Sequence, residues 1–476
     1  MTTTVAPAHV PTRSGTGFGW LRLLVLLAGT FITTLDFFIV NVAIPSLQQD
    51  LRAGPTAIQF TVAGYGLALA AALVTGGRLG DLYGRRRLLL VGLAAFTLAS
   101  AACGLAPSVP VLIVARIAQG LAAALLMPQV LAILNAEYTG ARRSRAFGAY
   151  GLALGLGAVF GQLIGGVLIH LDLAGAGWRS IFLINVPIGA LALALIPRLV
   201  PESRSPVAAR PDLAGTVLAT LGLVAVVLPL VEGPNLGWPA WVFGCLAASV
   251  PLLVGFAVHQ RRRAGRGRAP LVAPALFRQR SYSVGVALCF VFQLTVASFF
   301  LVLALYLQDG RGLGALTAGL IFVPMGVGYF VATLLSGRVA ARLGRYAITL
   351  GTAILALGYV LLAVTALGAA TAPAEALIPA LVVAGVGMGI AIPPLPATSL
   401  STVPAGDQAA GSGVLAACQQ AGGAVGVALV GVVFYRVLGA HPTATDFGHA
   451  FAAALVLVAL VDVVVALGTL LLPRRS

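Results

Sequence analysis

Charge is what this chain has least of. Only 9% of its 476 residues are Asp, Glu, Lys or Arg, and Lys is absent, so all 29 basic residues are Arg. Soluble domains carry about 25% charged residues; 59% hydrophobic content and a mean hydropathy of +1.02 exclude a water-soluble protein here. Cysteine is also scarce. Cys103, Cys245, Cys289 and Cys418 each lie inside an apolar run without Cys-x-x-Cys or Cys/His spacing. That excludes a disulfide framework and a zinc-type site, and leaves them as helix-packing residues. His9, His170, His259, His441 and His449 fall near the termini or the ends of apolar runs and form no ligand cluster. With no paired carboxylates, nucleophile–base set or metal ligands at helical spacing, neither an enzyme nor a cofactor is expected. The net charge of +16 comes from Arg in short loops between apolar runs. Membrane lipid headgroups are the partner expected there, and nucleic acid is not, since no soluble basic domain exists to bind it.

Long apolar runs are what the chain has in abundance. Runs of about 20 residues, enough to span a bilayer as a helix, recur at 20–47, 58–76, 88–106, 109–134, 146–169, 180–197, 213–231, 239–259, 281–307, 316–336, 347–368, 377–400, 411–438 and 449–472. The expected fold class is therefore all-α, a polytopic membrane protein with fourteen transmembrane helices. The first run is too long for a signal-peptide core and leads into no cleavage site, so it reads as a retained helix after a polar, disordered cytoplasmic segment, 1–19. Arg supplies an independent check, because cytoplasmic loops carry the basic excess. With both termini cytoplasmic, 24 Arg fall inside, only Arg52, Arg179, Arg311 and Arg436 fall outside, and Arg116 alone lies within a span. A missed helix would scramble that alternation.

An internal repeat sets the domain organisation. GRLGDLYGR at Gly77 to Arg85 recurs as GRVAARLGR at Gly337 to Arg345, with Gly, Arg, Gly and Arg in register. Both copies close the second helix of a six-helix unit, the duplication from which many transporters build two rocking halves. The units are 20–200 and 270–476, with 201–269 a linker carrying two extra helices. Ala341 stands where the first copy has Asp81, so the copies are not functionally equal.

Few polar residues lie at membrane depth. Asp36 falls about eleven residues, or about 16 Å, from the outer end of the first run. An ionised Asp there costs about 2.5–3.5 kcal/mol, so it must face water or a partner, which makes it a candidate proton carrier in a wet crevice between the halves; a structural acid is the alternative. Arg116, in the fourth run, lies at a depth from which it reaches Asp36, and motion separating the two would release the restraint a fixed cation places on the acid. Asp462 lies mid-membrane in the last run, where it either bonds a neighbouring helix or marks an oligomer contact. Gly157, Gly161 and Gly165 recur every four residues, so one helix face lets a neighbour approach closely, either at a rocking interface or in a static pair. In GRLGDLYGRRR (77–87), Gly77, Gly80 and Gly84 permit a tight cytoplasmic hairpin, while Asp81 anchors the arginines and faces the positive end of a helix from the other half. RRRAGRGR (261–268) reads as a solvated linker against anionic lipid. Glu232 and Asp309 read as solvated helix-end charges.

Taken in order, these segments resemble the major facilitator superfamily, in its fourteen-helix drug:proton antiporter branch, the EmrB/QacA-type multidrug exporters. The resemblance covers nearly the whole chain and rests on LDFFIVNVAIP (35–45), GRLGDLYGRRR, RIAQG (116–120), GAVFGQLIGG (157–166), WRSIFLINVPIG (178–189) and the region of Gln420, Gly422, Gly423 and Gly426. It implies two six-helix bundles plus two inserted helices. Asp36 and Arg116 are implied in proton coupling, Gly77, Asp81, Gly84 and Arg85 in gating, and Gly157, Gly161, Gly165 and Gly166 in the antiporter motif. Phe37, Tyr65, Gln119, Gln293 and Gln419 are candidates for the substrate cavity, chosen from the helices expected to line it. Two residues depart from the pattern: Gln162 replaces the usual Pro of the fifth-helix motif, and Phe38 replaces a small hydroxyl, which suggests a more aromatic cavity wall.

The expected function is proton-coupled export of amphipathic or cationic drugs or antibiotics by a bacterial cytoplasmic-membrane protein, acting as a monomer on a small molecule and protons. The alternatives are a proton-coupled importer or uniporter, favoured by Gln162, and a non-transporting membrane sensor. The topology is testable. In a variant with its four cysteines replaced, a single Cys at Arg266 should react with a membrane-impermeant maleimide in inverted vesicles and not in intact cells.

Overall fold

The computed structural model describes residues 19–138, 140–204, 212–233, 236–368, 373–403, 408–439 and 442–472. The disordered segment expected before residue 19, with His9 and Arg13, lies outside them, as do Arg210, His441, Arg474 and Arg475. The first bundle comprises α1 (Gly19–Leu51), α2 (Pro55–Tyr83), α3 (Arg85–Gly104), α4 (Val109–Glu137), α5 (Gly140–Leu171) and α6 (Gly177–Leu199). Next come α7 (Leu213–Glu232) and α8 (Ala240–Gly265). The second bundle is α9 (Arg280–Gly310), α10 (Ala315–Leu343), α11 (Tyr346–Gly368), α12 (Ala374–Leu400), α13 (Gln408–Leu438) and α14 (Ala444–Leu471). Among the described residues, thirteen helices are each long and apolar enough to span a bilayer; the fourteenth is α5, a bent pair, Gly148–Ala158 and Phe160–Leu171, meeting at 43°. Helices satisfy every backbone polar group internally, which lipid demands.

Local chemistry sets the ends. Pro55 opens α2, where its missing N–H costs nothing. Thr443 and Asp446 form a reciprocal capping box at the start of α14. Pro393 and Pro394 interrupt α12 near its end. The helices overrun the apolar runs toward the Arg-rich face, because hydropathy registers only the part of a helix at lipid depth.

That overrun corrects the reading of GRLGDLYGRRR as a glycine hairpin. The α2 helix continues through Arg78 and Asp81 to Tyr83, and α3 begins at Arg85, so the reversal is made at Gly84 alone, with φ +110°. The glycine-only requirement at Gly80 has another cause: a side chain there would collide with the Gln129 amide of α4. The second copy turns in the same way at Gly344, with φ +57°.

The repeat governs the packing. In the first bundle α4 packs on α2 and α3, and α5 on α1; in the second α12 packs on α10 and α11, and α13 on α9. Across the seam α2 meets α13 and α5 meets α10, the exchange a pseudo-two-fold relation requires. One apolar core joins the Arg-poor end of the first bundle to the second bundle, combining Ile39, Ala43, Leu47, Ile58 and Phe182 with Phe299, Phe300 and Phe322. A second core, of Leu26, Leu69, Leu89, Leu126, Ile133 and Ile196, belongs to the Arg-rich part of the first bundle and draws only the half-buried Ala416 and Ala417 from the second. The bundles are thus fused at the Arg-poor face and part toward the Arg-rich face.

The inserted pair is tied in by one acid. Asp212 caps α7 through the Gly215 N–H (3.0 Å) and accepts from Gln260 (2.8 Å) on α8, with His259 Nε2 at 2.9 Å. Burial alone pushes the Asp212 carboxyl up, but those bonds and the Arg263 charge outweigh it and hold the group below its ordinary value. The α7 helix docks on the α2/α13 seam, where Thr75 and Thr216 hydroxyls meet at 2.6 Å, and α8 packs on α7.

Close helix approach makes a specific stability prediction. A Cβ at Gly76 would run into the Ala124 carbonyl of α4, whereas one at Gly337 meets nothing within 4 Å. Gly76→Ala should cost about 1–3 kcal/mol, and Gly337→Ala, on an open helix face, should gain about 0.5–1 kcal/mol. Thermal unfolding in detergent, followed by Trp fluorescence, should shift in opposite directions for the two.

Candidate functional site

Four helices of the first bundle converge on Asp36. Arg116 Nη1 donates to its Oδ2 at 2.5 Å; Gln119 Nε2 and Asn185 Nδ2 donate to Oδ1 at 2.8 and 2.9 Å. Arg116 and Gln119 stand three residues apart on α4 and so share a face; Arg116 Nη1 also donates to Gln119 Oε1 at 2.9 Å. Arg116 Nε donates to the Thr61 carbonyl of α2 at 3.1 Å, and its guanidinium lies 4.4 Å from the Tyr65 ring centroid. Ser100 on α3 accepts from Asn185 (3.0 Å), and the Cys103 thiol donates to Gln119 Oε1 at 3.6 Å. Asp36, Arg116, Gln119 and Asn185 are all fully buried.

This placement corrects two expectations. Asp36 does have Arg116 as its partner, as its depth implied, but it does not line a wet crevice between the halves: every hydrogen-bond donor to it belongs to the first bundle. Tyr65 and Gln119, expected in the substrate cavity, are sealed into the ion-pair site, with the Tyr65 hydroxyl bonded to the Thr33 carbonyl. Sequence reading missed Asn185. Its signal was an amide in the apolar stretch IFLINVPIG.

Chemically the site is a charge-neutral cluster in a low-dielectric pocket. Protonating Asp36 would leave Arg116 without its counter-charge, and Arg116 Nη2 and Asn185 Oδ1 already lack partners. Breaking a buried pair costs about 3–5 kcal/mol. Proton uptake therefore demands that α1, α4 and α6 rearrange, and that requirement links a chemical event to a mechanical one.

The remaining predicted residues divide. Phe37, Gln293 and Gln419 are half-buried around the seam, with Phe37 packed on Phe38 and Tyr65. Phe38 is no cavity wall: it is buried, and its ring packs at a tilt against Phe300 of α9 with 4.8 Å between centroids. Gly157, Gly161 and Gly165 face α1, so the glycine stripe belongs to a pair inside one bundle. The seam is formed by their neighbours: Gly166 against Ala315 and Leu316, Gly155 against Tyr329, and the Gln162 backbone against Gly319. Gln162 itself donates to the Phe38 carbonyl at 3.0 Å, fastening α5 to α1 one half-turn beyond Asp36. A groove of about 370 Å³ between α11 and α14, lined by Ala356, Val360, Ala459 and Val463, offers no such chemistry.

At the Arg-rich face Asp81 holds Arg85 at 2.9 Å within its own bundle, and among the described residues this is its ion pair, in place of the helix end of the other half expected for it. Glu202, unforeseen from the sequence, does more of the fastening there. It fills the space opposite Gly84 and accepts the Arg86 and Arg87 N–H groups (3.0 and 3.2 Å), a carboxylate on a helix N-terminus. In the second copy, with Ala341 for Asp81, Arg345 turns instead to the Leu470 and Leu472 carbonyls at the end of α14.

Removing one charge should be worse than removing both. Arg116→Met should cost about 3–5 kcal/mol, and combining it with Asp36→Asn should restore most of that. Thermal denaturation of the two single variants and the double variant reads the coupling; strict additivity would deny it.

Comparison with known proteins now bears on the whole chain. The sequence model described as Major Facilitator Superfamily matches residues 26–427. The chain is 40% identical over 449 residues to the "Probable actinorhodin transporter" of Streptomyces coelicolor, covering 92% of this chain and 78% of that one. It is 36% identical to the puromycin resistance protein pur8 of Streptomyces alboniger, covering 87% and 81%. The crystal structure of a D-xylose-proton symporter superposes with a TM-score of 0.67 over 95% of this chain and 97% of that one, at 16% identity, a likeness of fold. A duplicated helical bundle with a sealed intramembrane ion pair, matched over most of its length, identifies this chain as a multi-pass membrane protein of the Major Facilitator Superfamily.

Proposed function

We propose that this protein exports amphipathic or cationic antibiotics across a bacterial cytoplasmic membrane in exchange for protons, as a monomer with both termini inside. The observation that carries the reading is the sealed Asp36–Arg116–Gln119–Asn185 cluster, whose protonation cannot occur without moving helices. The relatives named for actinorhodin transport and puromycin resistance support drug-like cargo. Bundles fused at the Arg-poor face and parted at the Arg-rich face support an inward-open state.

In this cycle the inward-open cleft receives substrate beside Phe37, Gln293 and Gln419. Asp81 with Arg85, braced by Glu202, serves the cytoplasmic gate. Outward opening admits a proton to Asp36, release of Arg116 lets α4 and α1 shift, and the return passage delivers the proton inside. One proton moving inward across 100 mV and one pH unit yields about 2.3 plus 1.4 kcal/mol. For a neutral drug exchanged one for one, that sustains about a 500-fold gradient; for a monovalent cation the electrical contributions cancel and about tenfold remains.

Inverted vesicles test the reading with ethidium and puromycin as probes. An imposed proton gradient should drive uptake by the wild type, and Asp36→Asn should abolish gradient-driven uptake while leaving binding measurable. Uptake of equal size after a protonophore collapses the gradient would mean a uniporter.

A further inference from the structure

A second buried carboxyl lies in the other bundle, and nothing assigned above uses it. Asp462, midway along α14, is fully buried. Its Oδ1 accepts one hydrogen bond, from Thr295 Oγ1 of α9 at 2.9 Å, and its Oδ2 has no partner among the described residues. Tyr359 of α11, within electrostatic reach of Asp462, is fully buried too, and its hydroxyl is also without a partner. Three helices thus bring an acid and two hydroxyls together in an apolar interior.

The contrast with Asp36 is the informative part. Asp36 is met by a guanidinium and two amides, so its negative charge is fully answered. Asp462 is met by one hydroxyl whose single proton is also within reach of the Phe292 carbonyl at 2.8 Å. The charged and titratable groups on the elements packed around Asp462 are turned elsewhere. Arg345 bonds the carbonyls of Leu470 and Leu472, about 12 Å along the helix. Arg311 donates to Tyr306 at the Arg-poor face, and Arg436 is exposed at that end of α13. Asp446 and His449 lie at the start of α14; Tyr435 of α13 and Cys289 and Cys418 carry no charge to offer. A carboxylate has about four acceptor sites, and leaving three unmet beside no cation is the arrangement low-dielectric surroundings punish most. The neutral acid removes that charge.

We infer that Asp462 is a second proton-binding site, protonated in this conformation and deprotonating when α9, α11 and α14 move apart enough to admit water. The step forms or breaks one carboxyl O–H bond, with water delivering the proton and taking it away. The inference rests on the proton-coupled reading and deepens it: one titrating acid in each bundle permits two protons per cycle. A physical chain of rings, Tyr65, Phe37, Phe38, Phe300, Phe299 and Tyr359, runs in successive contact from the Asp36 cluster to the Asp462 cluster across the seam.

Infrared difference spectroscopy of the purified full chain in nanodiscs reads the proton without needing a substrate. At neutral pH the wild type should show a carboxylic-acid C=O band that is lost in Asp462→Asn, retained in Asp36→Asn and displaced in Asp462→Glu. It should fade on alkaline titration while helical circular dichroism persists. An Asp462→Asn spectrum identical to wild type would show the group ionised and overturn the inference. So would a band that stays constant until the helices melt, which marks a fixed structural acid. Because the vesicle assay with Asp36→Asn judges proton-driven export separately, either conclusion can fail while the other stands.

Discussion

The structure depends on one constraint: a charge at membrane depth must be answered. Asp36 alone in α1 would be expelled from an apolar interior, and Arg116 alone in α4 likewise. Together, with Gln119, Asn185 and the Thr61 carbonyl completing the shell, they form a neutral unit that fixes α1, α2, α4 and α6 relative to one another. The same cluster that holds the bundle in register cannot accept a proton without losing that register.

Duplication supplies the frame within which that interaction acts. Each bundle repeats the same helix pairings, and the seam pairs α2 with α13 and α5 with α10. The two copies then diverge in their chemistry. Asp81, Arg85 and Glu202 fasten the first copy's turn, whereas Arg345 in the second caps the end of α14. The first bundle answers its buried acid with a cation, while the second leaves Asp462 with a hydroxyl. Asymmetry in side chains is thus laid on symmetric backbones.

Much of this was legible in the sequence for physical reasons. Membrane helices announce themselves because lipid tolerates only long apolar segments, and alternating Arg fixed an even count that survives even where α5 bends. The pairing of Asp36 with Arg116 was legible because the two opposite charges lie at similar depth in helices of the same bundle. Other features were not. Continuation of α2 through Arg78 and Asp81 was hidden because charged residues read as loop once they pass the lipid boundary. The glycine stripe of α5 was ambiguous because small residues permit close approach without naming the neighbour, which proved to be α1. Asn185 and Glu202 were missed because single polar residues near helix ends look alike whether they cap, bridge or face solvent.

By itself the sequence determined the helices, their number and the duplication, since each follows from hydropathy, charge and local repetition. Only the tertiary structure decided what each polar side chain meets. It sealed Tyr65 and Gln119 around the ion pair, turned Gly157, Gly161 and Gly165 inward, drew Phe38 onto Phe300, and left Asp462 without a cation. The physical reason is that burial in lipid is a property of a residue's own chemistry, whereas partnership depends on which helices the packing brings face to face.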